Sequence, residues 1–403
     1  MSAQVASAGR TGYPRQFWVL FTGMLISTIG SSMIWPFMMI YVTERLHLPL
    51  SQATLLTSLN AAVGLVFSFL AGPVADRLGR KGVMVISLLG NGLGYLALSR
   101  AETFWEFALV MGLQGAFNPL YRVGGDAMTA DLIVPEKRVN AYSLLRMSNN
   151  LGIAIGPAIG GWVASSSYAV AFYFAAAGLL TYGLLLLILA RETLPAANGP
   201  KPAAEPFGGY GAVLRDGHFV RYVASFVPTS MCAAMVWVLL SVYTKQNYGL
   251  PERLYGFIPV TNALMVVFLQ YLVTMFTRRR SPLWMVTLGA FLYALGGGSV
   301  AWMSGFWGFW LSMVIMTFGE LIAVPTSSTY VANLAPVDKR GRYMGLYGLT
   351  WTIASMFGPL LGGQLSDAFA PRFIWYGAGV IGLISVFAFA AMALRNKPRP
   401  VAA

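Results

Sequence analysis

Charged side chains are scarce in this chain. Asp, Glu, Lys and Arg supply 10% of its 403 residues, where a soluble globular domain carries roughly 25%. A protein whose whole surface meets water is therefore excluded. Cysteine is scarcer still: Cys232 stands alone in an apolar stretch, so neither a disulfide framework nor a thiolate metal centre is available. The two histidines, His47 and His218, fall near predicted helix ends with no second ligand at useful spacing. No metal and no cofactor are expected. The chain also lacks a hydrolytic constellation and a phosphate-binding loop. The Gly-rich stretch at 296–299 lies in an apolar run and has no lysine at nucleotide-loop spacing. Enzymatic turnover and nucleotide-driven work are not expected.

What is abundant is apolar sequence. Hydrophobic residues make up 57% of the chain, in runs of about 20 or more, the length a helix needs to cross a bilayer. Backbone groups in hydrocarbon must be satisfied within the chain, which leaves helices or a closed barrel. The runs are too long and too uniform for barrel strands of about 10 alternating residues. The spacing predicts helices over 17–43, 52–75, 83–100, 105–131, 139–165 and 169–190, then 219–246, 253–276, 283–303, 305–333, 342–368 and 372–394. The polar start and the length of the first run argue against a cleaved leader, so the first helix is expected to be retained.

A net charge of +13 invites a nucleic-acid partner, but its placement argues for topology instead. One set of alternate loops and tails holds most of the basic residues, among them Arg77, Arg80, Lys81, Arg278, Arg279, Arg280, Lys339 and Arg340. The opposite set holds only Arg45, Arg100, Lys245, Arg253 and Arg372, while Arg122 and Arg146 lie inside helices. The bias of basic residues toward the cytoplasm then places both termini there, in an inner-membrane protein, and no nucleic acid is expected.

The segment at 191–218 (RETLPAANGPKPAAEPFGGYGAVLRDGH) reads as a flexible cytoplasmic link. It joins bundles over 17–190 and 219–394, with tails at 1–16 and 395–403. The halves echo one another: GIAIGPAIGG at 152–161 answers SMFGPLLGG at 355–363, each after a basic loop. The stretch GPVADRLGRK at 72–81 resembles the Gly-x-x-x-Asp-Arg-x-Gly-Arg-Lys signature of the major facilitator superfamily, matching every fixed position. The 152–161 motif resembles that of its twelve-helix drug/proton antiporters. The resemblance covers essentially the whole chain. It implies an all-α membrane protein, with twelve transmembrane helices in two pseudo-symmetric six-helix bundles that alternate access to a central site. The partners implied are a small-molecule substrate, protons and the lipid bilayer, and the chain is expected to work as a monomer.

In that family the 72–81 loop works as a cytoplasmic latch between the halves, which assigns the role to Gly72, Asp76, Arg77, Gly79, Arg80 and Lys81. The residues supply physical reasons. Gly72 permits close helix approach, Gly79 a tight reversal, and Asp76 is an acid inside a basic cluster. An anchoring loop would explain the charges but not Asp76 or the spaced glycines. Gly152, Gly156 and Gly160 fall on one helix face, with Gly161 beside them and a kink at Pro157. Tight packing follows, and a hinge between access states is the functional reading. Gly358, Pro359, Gly362 and Gly363 read likewise.

Ionisable groups at membrane depth cost at least about 2.5 kcal/mol each and mark ion or substrate paths. Glu320, halfway along an apolar helix, is expected to carry proton coupling or to meet substrate. Its alternative is a structural partner for Arg122 or Arg146. Asp126, the second coupling candidate, stands one turn from Arg122 and is expected to pair with it. Arg146 is open between pairing and contact with an anionic substrate group. Two departures from the antiporter pattern bear on coupling: the first helix has no acid, and Met111 stands where an arginine precedes Gln114-Gly115. Coupling would then rest on Glu320 and Asp126. The tenth helix and the loop after it also resemble proton-coupled peptide transporters, without their first-helix signature.

The family lines its site with the first, fourth, seventh and tenth helices. Trp35, Gln114, Phe117, Asn118, Tyr121, Met235, Trp237 and Tyr330 are expected on that wall. Aromatics and methionine with few polar anchors suit an apolar or cationic organic molecule. Proton-driven export of such compounds is the expected function. The alternatives are an uptake carrier for a sugar, peptide or organic anion, and a non-transporting membrane sensor on the same scaffold.

Overall fold

The computed structural model describes residues 12–194, 210–336 and 339–395, and among them there is no strand. Twelve long helices carry the architecture. They are α1 (Arg15–Leu46), α2 (Leu50–Leu78), α3 (Arg80–Leu98), α4 (Phe104–Leu132), α5 (Pro135–Ser166), α6 (Tyr168–Leu189), α7 (Gly217–Tyr248), α8 (Glu252–Thr277), α9 (Pro282–Trp302), α10 (Gly305–Leu334), α11 (Arg340–Ala368) and α12 (Phe373–Arg395). Nine of these are long and apolar enough to cross a membrane. The others are α4, α5 and α11, diluted by Arg122 and Asp126, by Arg146, and by the basic starts of α5 and α11.

The predicted helices lie within a few residues of the observed ones. Two are interrupted: α1 tightens into a 3-10 turn over Trp35–Phe37 at Pro36, and α8 steps at Gly256 between Glu252–Tyr255 and Phe257–Thr277. The link expected at 191–218 is partly helical, since Tyr210–Leu214 forms a short helix and α7 already starts at Gly217. Asp216 sets that start by accepting from the main-chain N–H of His218 and Phe219, each at 3.1 Å. Residues 1–11, 195–209 and 396–403, most of the expected tails and link, lie outside the described residues.

Helices α1–α6 pack on one another, as do α7–α12. Glycine sets the closest approaches. A Cβ at Gly152 or Gly156 would come within 2.6 Å of Thr28 Cβ or 2.5 Å of Ser32 Cβ, so this stripe is a seam against α1, which Gly160 continues at Met33. The echo in α11 does the same against α7: a Cβ on Gly358 would come within 2.9 Å of the Met231 carbonyl oxygen, and one on Gly362 within 2.5 Å of the Leu239 side chain. Gly72 is different. A Cβ there would meet nothing within 4 Å, so its expected role in close packing does not hold in this conformation.

Proline leaves open rungs that other side chains complete. Pro325 in α10 cannot donate to the Leu321 carbonyl, which instead accepts from Gln270 Nε2 at 3.1 Å. Near Pro228 in α7, the Thr229 N–H donates to Ser385 Oγ of α12 at 3.0 Å, and that hydroxyl donates to the Ser225 carbonyl.

The two halves meet at the end remote from the described termini. A Cβ on Gly161 would come within 2.6 Å of the Glu252 carbonyl oxygen, and one on its counterpart Gly363 within 2.7 Å of Thr54 Oγ1 and 2.9 Å of Ser51 Cα. Asp367 accepts from the Ser51 N–H at 2.8 Å, capping α2 from the other half. Tyr168 donates to Glu252, whose nearly buried carboxylate pairs with Lys245 at 3.0 Å. Toward the other end the intramembrane charges Arg122, Asp126 and Arg146 are exposed. Gly363→Val places a branched side chain where α2 touches α11, and is expected to pry this closed end apart. Spin labels at His47 and Phe369 in a Cys232→Ala background are expected to gain a longer-distance population; an unchanged distribution would show that the contact does not hold the seal.

Candidate functional site

Two adjoining cavities, of about 450 and 480 Å³, are lined from both halves, and a third of about 490 Å³ adjoins them within the first half. The first two share Thr28, Ser31, Trp35, Tyr95, Asn149, Trp237 and Trp351. The third continues toward the described termini through Tyr121, Arg122, Asp126, Tyr142 and Arg146. The Pro36 turn holds Trp35 at the middle of α1, where its ring lies 5.8 Å from that of Trp237.

Five of the expected wall residues line these cavities: Trp35, Gln114, Asn118, Tyr121 and Trp237. Three lie elsewhere. Phe117 points at α3, in the space left by Gly90. Met235 is fully buried, its methyl group near the Cβ position of Gly362. Tyr330 bonds His218 Nε2 at 2.6 Å and stacks on Tyr222. In each case the helix turns that residue toward a neighbour in its own half. The expectation of few polar anchors is also corrected. Ser27, Thr28, Ser31, Asn60, Ser87, Asn91 and Asn149 join Gln114 and Asn118 on the first-half wall.

Glu320 of α10 and Arg146 of α5 face the same cavity. The Glu320 carboxylate accepts from Asn262 Nδ2 at 2.8 Å, and the same nitrogen donates to Thr317 Oγ1 at 2.9 Å. Asn262 is 4% exposed, so this amide is a fixed support for the acid. Among the described residues no ion pair within 4 Å involves Glu320, Arg146, Arg122 or Asp126. The expected Arg122–Asp126 pair is therefore not formed. Both residues are exposed, on the wall of the third cavity. Tyr142 reaches Asp126 only at its main-chain carbonyl, at 2.9 Å.

The 72–81 loop joins elements of one half rather than bridging the two. Asp76 pairs with Arg80 at 3.1 Å, and Arg80 with Asp131 of α4 at 3.5 Å. Arg77 is exposed, while Lys81 Nζ donates to the Leu187 carbonyl of α6 at 2.8 Å. Gly79, at φ +83, makes the reversal between α2 and α3. Glu192 occupies the room that its missing side chain leaves. The Glu192 carboxylate accepts from the N–H groups of Arg80 at 2.9 Å and Lys81 at 3.0 Å, capping α3 with a negative charge. Sequence reasoning missed this residue. Its one local signal was an acid next to Arg191 just past a helix end.

Burial opposes ionisation of Glu192, but the N–H groups of Leu194, Arg80, Thr193 and Lys81 outweigh it and hold the carboxyl below its usual range. A depressed folded value means the clamp is fully present above the ordinary glutamate value of about 4.3 and is lost as pH falls through the lower one. Hydrogen exchange at residues 80–83 and 191–194, corrected for intrinsic rates, is expected to accelerate in that acid window. Glu192→Gln is expected to exchange faster at pH 7, with the acid step gone. Equal protection in both proteins at pH 7 would remove the clamp.

The sequence profile of the Major Facilitator Superfamily matches residues 20–337 and, in a second alignment, 230–403. The multidrug resistance protein MdtH of Yersinia pestis (strain Pestoides F) is 25% identical over 376 residues, 92% of each chain. A Na(+), Li(+), K(+)/H(+) antiporter of Planococcus maritimus is 26% identical over 396 residues, 91% of each chain. Among solved structures, a POT family transporter in complex with a thioalcohol conjugated peptide superposes with a TM-score of 0.78. It is 16% identical, covers 96% of this chain and 97% of its own, and speaks for the fold alone. With the profile spanning nearly the whole chain and a helical fold enclosing a cavity between its halves, the protein belongs to the Major Facilitator Superfamily of membrane transporters.

Proposed function

We propose that the protein exports amphipathic organic cations across the cytoplasmic membrane in exchange for protons, by alternating access. The observation that carries this reading is Glu320. It is the acid on the second-half wall of the cavity, supported by Asn262 and free of an ion pair within 4 Å. A carboxylate so placed can give its site to a proton or to a cationic substrate in turn. Each inward proton supplies about 2.3 kcal/mol per 100 mV and about 1.4 kcal/mol per pH unit, enough for one proton per cycle to sustain a substantial gradient. The names of two relatives, a multidrug resistance protein and a cation/proton antiporter, are in keeping with it.

On this reading the basic loops and the termini face the cytoplasm, and the end that they flank is the inward one. The bundles over 17–190 and 219–394 then rock about the glycine contacts at Gly161 and Gly363. Asp76 would engage the second half only once the cytoplasmic end closes. Arg146 supports a second reading, uptake of a substrate with an anionic group, because its guanidinium faces the same cavity as Glu320.

Purified protein in liposomes with a trapped pH dye separates the two. Export coupled to protons predicts that a lipophilic cation added on the side of the termini drives proton movement. Glu320→Gln is expected to reduce that movement to the level of empty liposomes. Proton movement that survives the substitution would sink the coupling role of Glu320. Peptides or organic anions crossing in place of cations, with loss in Arg146→Gln, would favour uptake.

A further inference from the structure

The turn between α8 and α9 holds the place in the second half that the turn between α2 and α3 holds in the first. Their electrostatics differ. In the first turn, Asp76 and Asp131 pair with Arg80, and Glu192 caps the start of α3. The chain supplies its own anions there. In the second turn Arg278, Arg279 and Arg280 follow one another, all three exposed. Among the described residues none of the three has an acid within 4 Å. No side chain caps α9 at Ser281 and no acid lies in its first turn, so the positive end of that helix adds to the field. The second turn lacks the anion that its counterpart carries.

The surface beside the arginines says which kind of anion fits. Phe268, Leu272 and Phe276 stand at four-residue spacing on α8, one stripe of large exposed apolar groups. In a membrane protein such a stripe meets acyl chains. Arg280 continues it, with its guanidinium carbon 4.9 Å from the centre of the Phe276 ring. Trp284, in the first turn of α9, is exposed as well, as tryptophans at headgroup level are. A small soluble anion would have no use for the stripe. Topology would be served equally by lysines, whereas a guanidinium fork grips a phosphate with two parallel hydrogen bonds.

We propose that the α8–α9 turn binds an anionic phospholipid, with Arg278, Arg279 and Arg280 on its headgroup phosphate and its acyl chains along the stripe of α8. The lipid supplies to the second half the negative charge that Glu192 supplies to the first. This site depends on neither the cargo nor proton coupling.

Lipid binding to the delipidated full chain in a neutral detergent, read by native mass spectrometry, tests the site. The probes are phosphatidylglycerol, phosphatidylcholine and inorganic phosphate. Wild type is expected to retain phosphatidylglycerol in preference to phosphatidylcholine. Arg280→Gln is expected to lower that preference about fivefold, the worth of one cation at a membrane surface. Arg395→Gln removes one exposed cation at the end of α12 and is expected to leave the preference unchanged. Ser281→Asp keeps all three arginines and places a favoured capping carboxylate at the start of α9, in imitation of Glu192; it is expected to abolish the preference. Inorganic phosphate at millimolar concentration is expected not to displace the lipid.

Equal retention of the two lipids by wild type would overturn the site. So would equal losses in Arg280→Gln and Arg395→Gln, the mark of a diffuse field of charge, or an undiminished preference in Ser281→Asp. Displacement by inorganic phosphate would overturn the lipid assignment in favour of a soluble anion.

Discussion

Backbones that approach to within van der Waals contact hold this protein together, and missing side chains let them do so. Within a bilayer the lipid tails are as apolar as the helices, so burying leucine gains little; close packing and internal hydrogen bonds must do the work. The chain meets this demand twice with one piece of sequence. In α5 the motif lies on α1, and in α11 its copy lies on α7. The last glycine of each, Gly161 and Gly363, turns away from that seam and touches the opposite half. One motif therefore serves two contacts: a seam within a bundle and a meeting point between bundles.

The same constraint decides where polar groups go. A side chain with hydrogen-bonding capacity cannot point at lipid without loss, so amides and hydroxyls from α1–α5 converge on the central space. Where proline opens a helix, a side chain from a neighbour fills the rung, as Gln270 does at Leu321. That rung lies one residue beyond Glu320, so the acid sits where α10 is braced from α8 by both Asn262 and Gln270. Chemistry and structural repair share one stretch of helix.

Much of the fold could be read from the chain itself, because apolar run length and the positions of Gly and Pro are local properties. The glycine stripes were legible for that reason, and so was Glu320 as an isolated acid. Its support was not: Asn262 lies 58 residues away and belongs to a different helix. Glu192 escaped notice similarly, since the N–H groups it caps lie 112 and 111 residues earlier. Phe117, Met235 and Tyr330 were misplaced because a helix apolar on nearly all sides gives no periodic sign of which face meets the cavity. Arg122 and Asp126 have the spacing of a pair, yet spacing cannot reveal that both stand exposed on a cavity wall. The polar wall was undercounted because its amides are scattered over four helices and gather only in the folded protein.

The hydroxyl of Ser385 has a mechanical meaning beyond its hydrogen bonds. By completing the open rung near Pro228, it splices α12 into the weakest point of α7. A bend there would strain both bonds to α12, and α7 carries Trp237 on the cavity wall. The outer side of α12 presents Val380, Ile384 and Phe387 as large exposed apolar groups, the surface that lipid would cover. A bilayer that thickens or thins retilts such helices, and a retilted α12 would pull on α7 at this hydroxyl. One hydroxyl thus joins the lipid-facing helix to the helix that carries a cavity tryptophan.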